Sequence, residues 1–365
     1  MRRVLYYAHQ HGSGHLHHAA AAAATARFDL TVVSAHPHAA EVVGHAADVA
    51  GVRQPRVLPL PPDLVDGHVQ RADSPLHHTP TGPVIRDRFA ALLEAARSAG
   101  AEAAVVDVSV EAALFLRLAG YPVAHRRMHG DRTDAAHRIV YAEADHLIAH
   151  YREDLEDPEW LAEHGGHTSF LGSPDTTGRL ARTAPAPPAG LDGAHLTVLT
   201  GTGGGGVAVE DLSRAAASVP QATWHVHGPV RGAAHGADPL PENLVLHGWA
   251  TDVSAVLAEA DLVVVSAGHG GTVDALASGR PLVLAPEPRP FHEQHRFAAA
   301  ARRCAGVPTA VWDDPAADWA GAVTAAAEDP ASADRLAAAL LTDPAEYAER
   351  WEQAIERTVA GRRAR

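Results

Sequence analysis

The chain has 365 residues, 46% hydrophobic and only 5% aromatic, and a formal net charge of −14. The length predicts two domains with cores built chiefly from Ala, Val and Leu. The charge argues against a nucleic-acid partner or broad binding to an anionic membrane, leaving only peripheral membrane contact open. A single cysteine, Cys304, excludes an internal disulfide and a cysteine zinc cluster, and the lack of any lysine excludes Schiff-base chemistry and a Walker-type phosphate lysine.

The amino-terminal apolar run is broken by His9, short of a signal peptide, and no stretch approaches the roughly 20 apolar residues of a transmembrane segment. The expected compartment is the cytoplasm. Apolar runs bounded by turn residues then alternate with alanine-rich stretches, the pattern of strands and crossover helices in a parallel α/β sheet. Strands are predicted over 4–8, 30–35, 103–108, 122–126 and 146–150, with helices between them, as over 85–100. A Pro- and Gly-rich stretch over 182–195 breaks the alternation. Strands resume over 196–200, 223–228, 244–249, 261–267 and 281–286, and the last 20 residues read as a helix ending in arginines. The expected architecture is α/β, with two Rossmann-like domains (1–182 and 195–344) facing a central cleft. A linker at 183–194 joins them, and the helix 345–365 could pack back on the first domain.

Three glycine-bearing strand-to-helix junctions hold the candidate chemistry. In "HGSGHLHH", residues 11–18, Gly12 and Gly14 let the backbone turn sharply and bring its N–H groups close to a ligand. The dinucleotide fingerprint is not met, because His17 stands where a third glycine is needed and no carboxylate closes the second strand. His15 and His18 share a helical face, which invites a metal reading, but 26 histidines in the chain dilute that signal and no metal site is assigned.

In "LTGTGGGG", residues 199–206, Gly203 and Gly204 belong to a run of four glycines able to wrap a phosphate ahead of a helix starting near Val209. The third junction, "SAGHGGTVDALASGRP" over 266–281, follows a buried strand. Its Gly268, His269, Gly270, Gly271 and Thr272 can turn amides, a ring and a hydroxyl toward an anion, and Asp274 is expected in the first turn of the helix. Glu293 and Gln294 open a further helix at the same sheet edge. These groups would supply a phosphate cradle, a carboxylate for ribose and polar groups for a sugar.

The segment 260–301 resembles the donor-binding region of GT-B glycosyltransferases. The likeness is to bacterial N-acetylglucosaminyltransferases of the peptidoglycan type, which use UDP-N-acetylglucosamine, and less closely to natural-product and UDP-glucuronosyl transferases. It is dense from about 244 to 300 and sparse from 36 to 100, where such enzymes hold acceptors. The resemblance implies that Gly270, Gly271 and Thr272 hold the donor diphosphate with His269 beside them. It also implies that Asp274, where glutamate is commoner, takes the ribose hydroxyls, that Glu293 and Gln294 touch the sugar, and that Trp249 lies against the base. Gly203 and Gly204 stand in the family's second glycine loop, and Gly12, Gly14 and His15 in its amino-terminal loop.

The implied protein is an enzyme that moves a sugar from a nucleotide-sugar donor, UDP-linked, to an unidentified hydroxyl acceptor with inversion. The nucleotide sugar is a co-substrate and no cofactor is expected. Such a transfer needs a base, and an imidazole of unperturbed pKa about 6.5 suits the role. His15 is the candidate, and Asp107, closing the strand 103–108, matches the aspartate that orients the base in related plant and natural-product transferases. No Asp-x-Asp pair of the metal-holding kind is present, so helix dipoles, loop amides and His269 are expected to offset the leaving group's charge. The arginines and His129 of "HRRMHGDR", residues 125–132, read either as solvated surface groups or as a site for an acceptor phosphate. Two alternatives share the fold: an enzyme like the nonhydrolysing UDP-N-acetylglucosamine 2-epimerases, and a donor-binding subunit completed by a partner chain.

Overall fold

The structure is a computed structural model that describes residues 1–10, 14–63, 76, 79–181, 190–201, 206–232 and 239–361. Among the described residues, seven parallel strands make the first sheet: β1 (Arg3–Tyr7), β2 (Asp29–Ser34), β3 (Arg56–Pro59), β4 (Ala103–Val106), β5 (Val123–Arg127), β6 (His146–Ala149) and β7 (Thr168–Phe170). Their order is β3-β2-β1-β4-β5-β6-β7. After β8 (Ser173–Pro174) come β9 (His195–Leu199), β10 (Val207–Ala208), β11 (Thr223–His227), β12 (Val230–Arg231), β13 (Leu244–Gly248), β14 (Leu262–Val265), β15 (Leu282–Leu284) and β16 (Leu341–Thr342). The second sheet runs β13-β11-β9-β14-β15, again parallel, while β10 pairs with β12 and β8 with β16.

Alternation along each central strand explains why both faces are covered. Val4 and Tyr6 of β1 pack against the helices Gly14–Ala24 and Pro344–Ala360. Leu5 and Tyr7 point the other way, against Leu92 of the helix Pro83–Ser98 and Leu116 of the helix Val110–Leu118. The carboxyl-terminal helix thus lies on the first domain's sheet, where Tyr347, Trp351, Ala354 and Ile355 join its core and Arg2 Nε bonds Glu356 Oε1 at 2.9 Å. In the second sheet Trp224, Val226 and Val264 face the helices Val209–Ser218 and Trp319–Glu328. Val263 and Val265 face the helices His269–Ser278, Glu293–Ala305 and Ala331–Leu340.

Each sheet has one place where strand order reverses, and there a crevice opens at the strands' carboxyl ends. In the first domain it lies between β1 and β4, in the second between β9 and β14. The two domains are packed together: Ala149, Tyr151 and Leu155 of the first share a core cluster with Leu336 and Leu340 of the second. No helix among the described residues is long and apolar enough to cross a membrane.

Candidate active site

A cleft of about 880 Å³ lies between the two reversal points, lined by His9, His15, Arg126, Gly268, His269 and Arg289 among others. His15 enters it as the second residue of the helix Gly14–Ala24, which follows β1. Asp107 directly follows β4, and its backbone N–H donates to Tyr7 O at 3.0 Å, which ties it to β1. The next residue, Val108, has φ 73°, a conformation that a β-branched residue adopts only when its surroundings hold it there. That turn aims the Asp107 carboxylate back at the helix: His15 Nδ1 lies 3.2 Å from Asp107 Oδ1.

Asp107 is fully buried. Burial alone would raise its pKa, but Arg126 and then His15 hold the carboxyl well below the usual carboxylate range. Arg126 Nη1 donates to the same Oδ1 at 2.8 Å. With a charged carboxylate on one side, the His15 proton belongs on Nδ1, leaving the Nε2 lone pair to accept a proton.

Across the cleft, Gly268 is the N-cap of the helix His269–Ser278. The helix therefore starts earlier than the sequence indicates, and Asp274 falls in its second turn, not its first. Thr272 is also displaced from its expected task. Its side chain is buried and its hydroxyl donates back to Gly268 O at 2.8 Å, one turn earlier, so it is used within its own helix, while Gly270 and Gly271, whose N–H groups have no intrahelical acceptor, line the cleft. His269 Nε2 contacts Ser173 Oγ at 2.6 Å, and burial, with the Arg126 charge second, pushes the ring's pKa down to about 3. It is neutral at pH 7 and brings no positive charge to an anion there.

Asp274 lines the cleft; burial raises its carboxyl pKa, opposed by His17 from the facing domain. Glu293 Oε2 accepts from Arg132 Nη2 at 3.1 Å, across the two domains. Gln294 Oε1 accepts from the Glu287 backbone N–H at 2.8 Å. Trp249 stands on the rim, 68% exposed. Gly14 lines the cleft at the start of its helix. Gly12, Gly203 and Gly204 lie outside the described residues, as does most of the expected linker.

The sequence left two readings open for the segment 125–132. Arg126, Arg127, His129 and Arg132 are not solvated surface groups; each is buried. Arg127 is paired with Glu156 and His129 Nε2 contacts Leu155 O, so these two serve the fold. Arg126 and Arg132 reach the cleft. Arginine inside a predicted buried strand is the signal that could have found Arg126, because a charge there requires a partner. Arg289 was missed: its Nη2 donates to Glu287 Oε2 at 3.2 Å beside Gly201, while Nη1 is buried without a partner among the described residues. No group of three or more His, Cys, Asp or Glu among the described residues is arranged to hold a metal ion.

No family model and no curated protein matches the sequence. Solved structures do match its fold. The calicheamicin glycosyltransferase CalG4 is similar at 20% identity over 98% of this chain and 99% of its own, with a TM-score of 0.59. The spinosyn forosaminyltransferase SpnP is similar at 15% identity over 97% and 99%, with a TM-score of 0.62. MurG of Acinetobacter baumannii is similar at 12% identity over 96% and 99%, with a TM-score of 0.57. The chain has the GT-B fold, two Rossmann-like domains around a cleft.

Proposed function

We propose that this chain is a glycosyltransferase that moves a sugar from a UDP-linked donor to the hydroxyl of an acceptor with an apolar body. The observation that carries the reading is the His15–Asp107 pair at one sheet's reversal point, with the Gly268–Gly271 turn at the other's, across a shared cleft. A base on one side and a row of backbone amides on the other is what a displacement at a sugar carbon requires. The UDP assignment rests on the resemblance of residues 244–300, and the similar folds include the calicheamicin glycosyltransferase and the spinosyn forosaminyltransferase.

In the proposed reaction the acceptor oxygen forms a bond to the anomeric carbon while the bond from that carbon to the diphosphate breaks. The acceptor proton goes to His15 Nε2, and the nucleoside diphosphate leaves with the electron pair. Attack opposite the leaving group inverts the configuration. The amides of Gly270 and Gly271 and the positive end of their helix would meet the leaving group. Arg289 lines the cleft, and its Nη1, without a partner among the described residues, is a donor for the leaving group where a neutral His269 brings no charge, although Glu287 already offsets the guanidinium. On the acceptor side, Ile85, Phe89, Leu92 and Val110 form an apolar wall, which supports an apolar acceptor body.

Differential scanning fluorimetry with UDP, GDP, TDP and uridine tests the donor half. UDP should raise the melting temperature more than uridine does, and Arg289→Met should remove most of that difference. No stabilisation by any nucleoside diphosphate would overturn the reading.

A further inference from the structure

Asp107 Oδ1 faces two donors at once, Arg126 Nη1 at 2.8 Å and His15 Nδ1 at 3.2 Å, and the two donors lie 3.3 Å apart. No arrangement of protons makes all three contacts hydrogen bonds, because His15 Nδ1 cannot both donate to Asp107 and accept from Arg126. If Arg126 donated to His15 Nδ1, the ring would turn a lone pair toward a buried carboxylate. If His15 donates to Asp107, Nδ1 has no lone pair for the guanidinium, and the 3.3 Å contact places a permanent cation beside a ring that becomes cationic on protonation.

The ion pair is a poor device for stability alone. Buried pairs of this kind are commonly matched by apolar side chains of similar volume. This one is also incompletely satisfied, since Asp107 Oδ2 and Arg126 Nε are buried with no partner among the described residues. Its place in the fold is the telling feature. Arg126 lies on β5, flanked by β4 and β6, so the sheet fixes the guanidinium behind the pair, and the side chain lines the cleft.

We propose that Arg126 is a positioning residue that keeps His15 a neutral, Nδ1-protonated base by offsetting the charge of Asp107. The inference rests on His15 being the base of the proposed transfer. Without the arginine, a buried carboxylate would face the ring alone and favour imidazolium, which cannot take the acceptor's proton. The other groups around His15 do not replace that charge. His9 stands edge-on with its ring centroid 5.6 Å away and Asp63 3.5 Å behind it. His18, on the same helix, and His150, after β6, are held neutral by burial. Tyr6, and Glu293 from the second domain, act on Arg126 itself.

Histidine ring NMR on the unliganded full chain tests this without a substrate, the His15 signal being identified by its loss in His15→Asn. Arg126→Gln retains a donor for Asp107 and removes only the charge; the His15 titration midpoint should rise by about one unit or more. Arg126→Lys keeps a charge at a greater distance, and its midpoint should fall between those of Gln and the parent. If Gln unfolds the chain, the Lys protein decides alone. A midpoint unchanged in the folded variants overturns the inference while leaving His15's base role intact. Conversely, a shifted midpoint in a protein whose His15→Asn variant turns over donor as fast as the parent removes the base role and keeps the coupling.

Discussion

His15 Nδ1 meets Asp107 Oδ1 at 3.2 Å although the two residues belong to different strand-to-helix junctions, one after β1 and one after β4. The contact exists because β1 and β4 are neighbours where the sheet's order reverses. Asp107→Asn should lower turnover by about 10² or more and leave UDP affinity unchanged in calorimetry. It should also lower the denaturation midpoint, because Arg126 is left as a buried charge with no anion, a loss of about 3–5 kcal/mol. Full turnover in the Asn variant would remove Asp107 from the site.

The Glu293–Arg132 pair joins the two domains beside the cleft, and Arg132 is additionally held over the Phe291 ring at 4.7 Å. If Glu293 meets the sugar and not the nucleotide, Glu293→Ala should raise the KM for the UDP-sugar about tenfold and leave the Kd for UDP near the parent's. Equal losses in both quantities would place Glu293 against the nucleotide instead.

A histidine stack gives a pH dependence of known sign. His18 lies 3.9 Å from His150 and 4.8 Å from His269, ring to ring, and His269 reaches Ser173. Burial holds His18 and His150 well below the ordinary histidine value and His269 at about 3. On acidification the unfolded chain therefore takes up protons first, from about pH 6.5 downward. The stabilisation is complete above that pH and declines toward the folded-state values, by about 1.4 kcal/mol per pH unit for each such histidine. Melting curves should fall steeply between pH 6.5 and pH 4, and His150→Leu should flatten the fall. A melting temperature constant over that range would contradict the assignment.

Much of the architecture was legible because strongly apolar runs such as Val4–Tyr7 and Leu262–Val265 are buried on both faces and bounded by turn residues. Short or edge strands were not: β3 ends in Pro59, and β8 and β16 are two residues each, so pairing and not composition defines them. At the site, the Gly268–Gly271 turn was visible from its glycines. Thr272 was misjudged because sequence does not say whether a hydroxyl faces a ligand or its own helix carbonyl, and here the carbonyl takes it. Arg126 and Arg132 were seen only as surface groups or an acceptor-phosphate site, because their partners, Asp107 and Glu293, are remote in sequence and only the fold brings them near.

The central claim is acceptor-dependent sugar transfer with His15 as base. The most direct measurement is mass spectrometry of products, with UDP release, from a panel of UDP-sugars offered with apolar hydroxyl acceptors, run on the parent and on His15→Ala. The account predicts a parent product one glycosyl unit heavier than the acceptor, and a His15→Ala protein that binds UDP normally but is slower by about 10² or more. Formation of an epimeric sugar nucleotide without any acceptor, or a His15→Ala variant as fast as the parent, would contradict it.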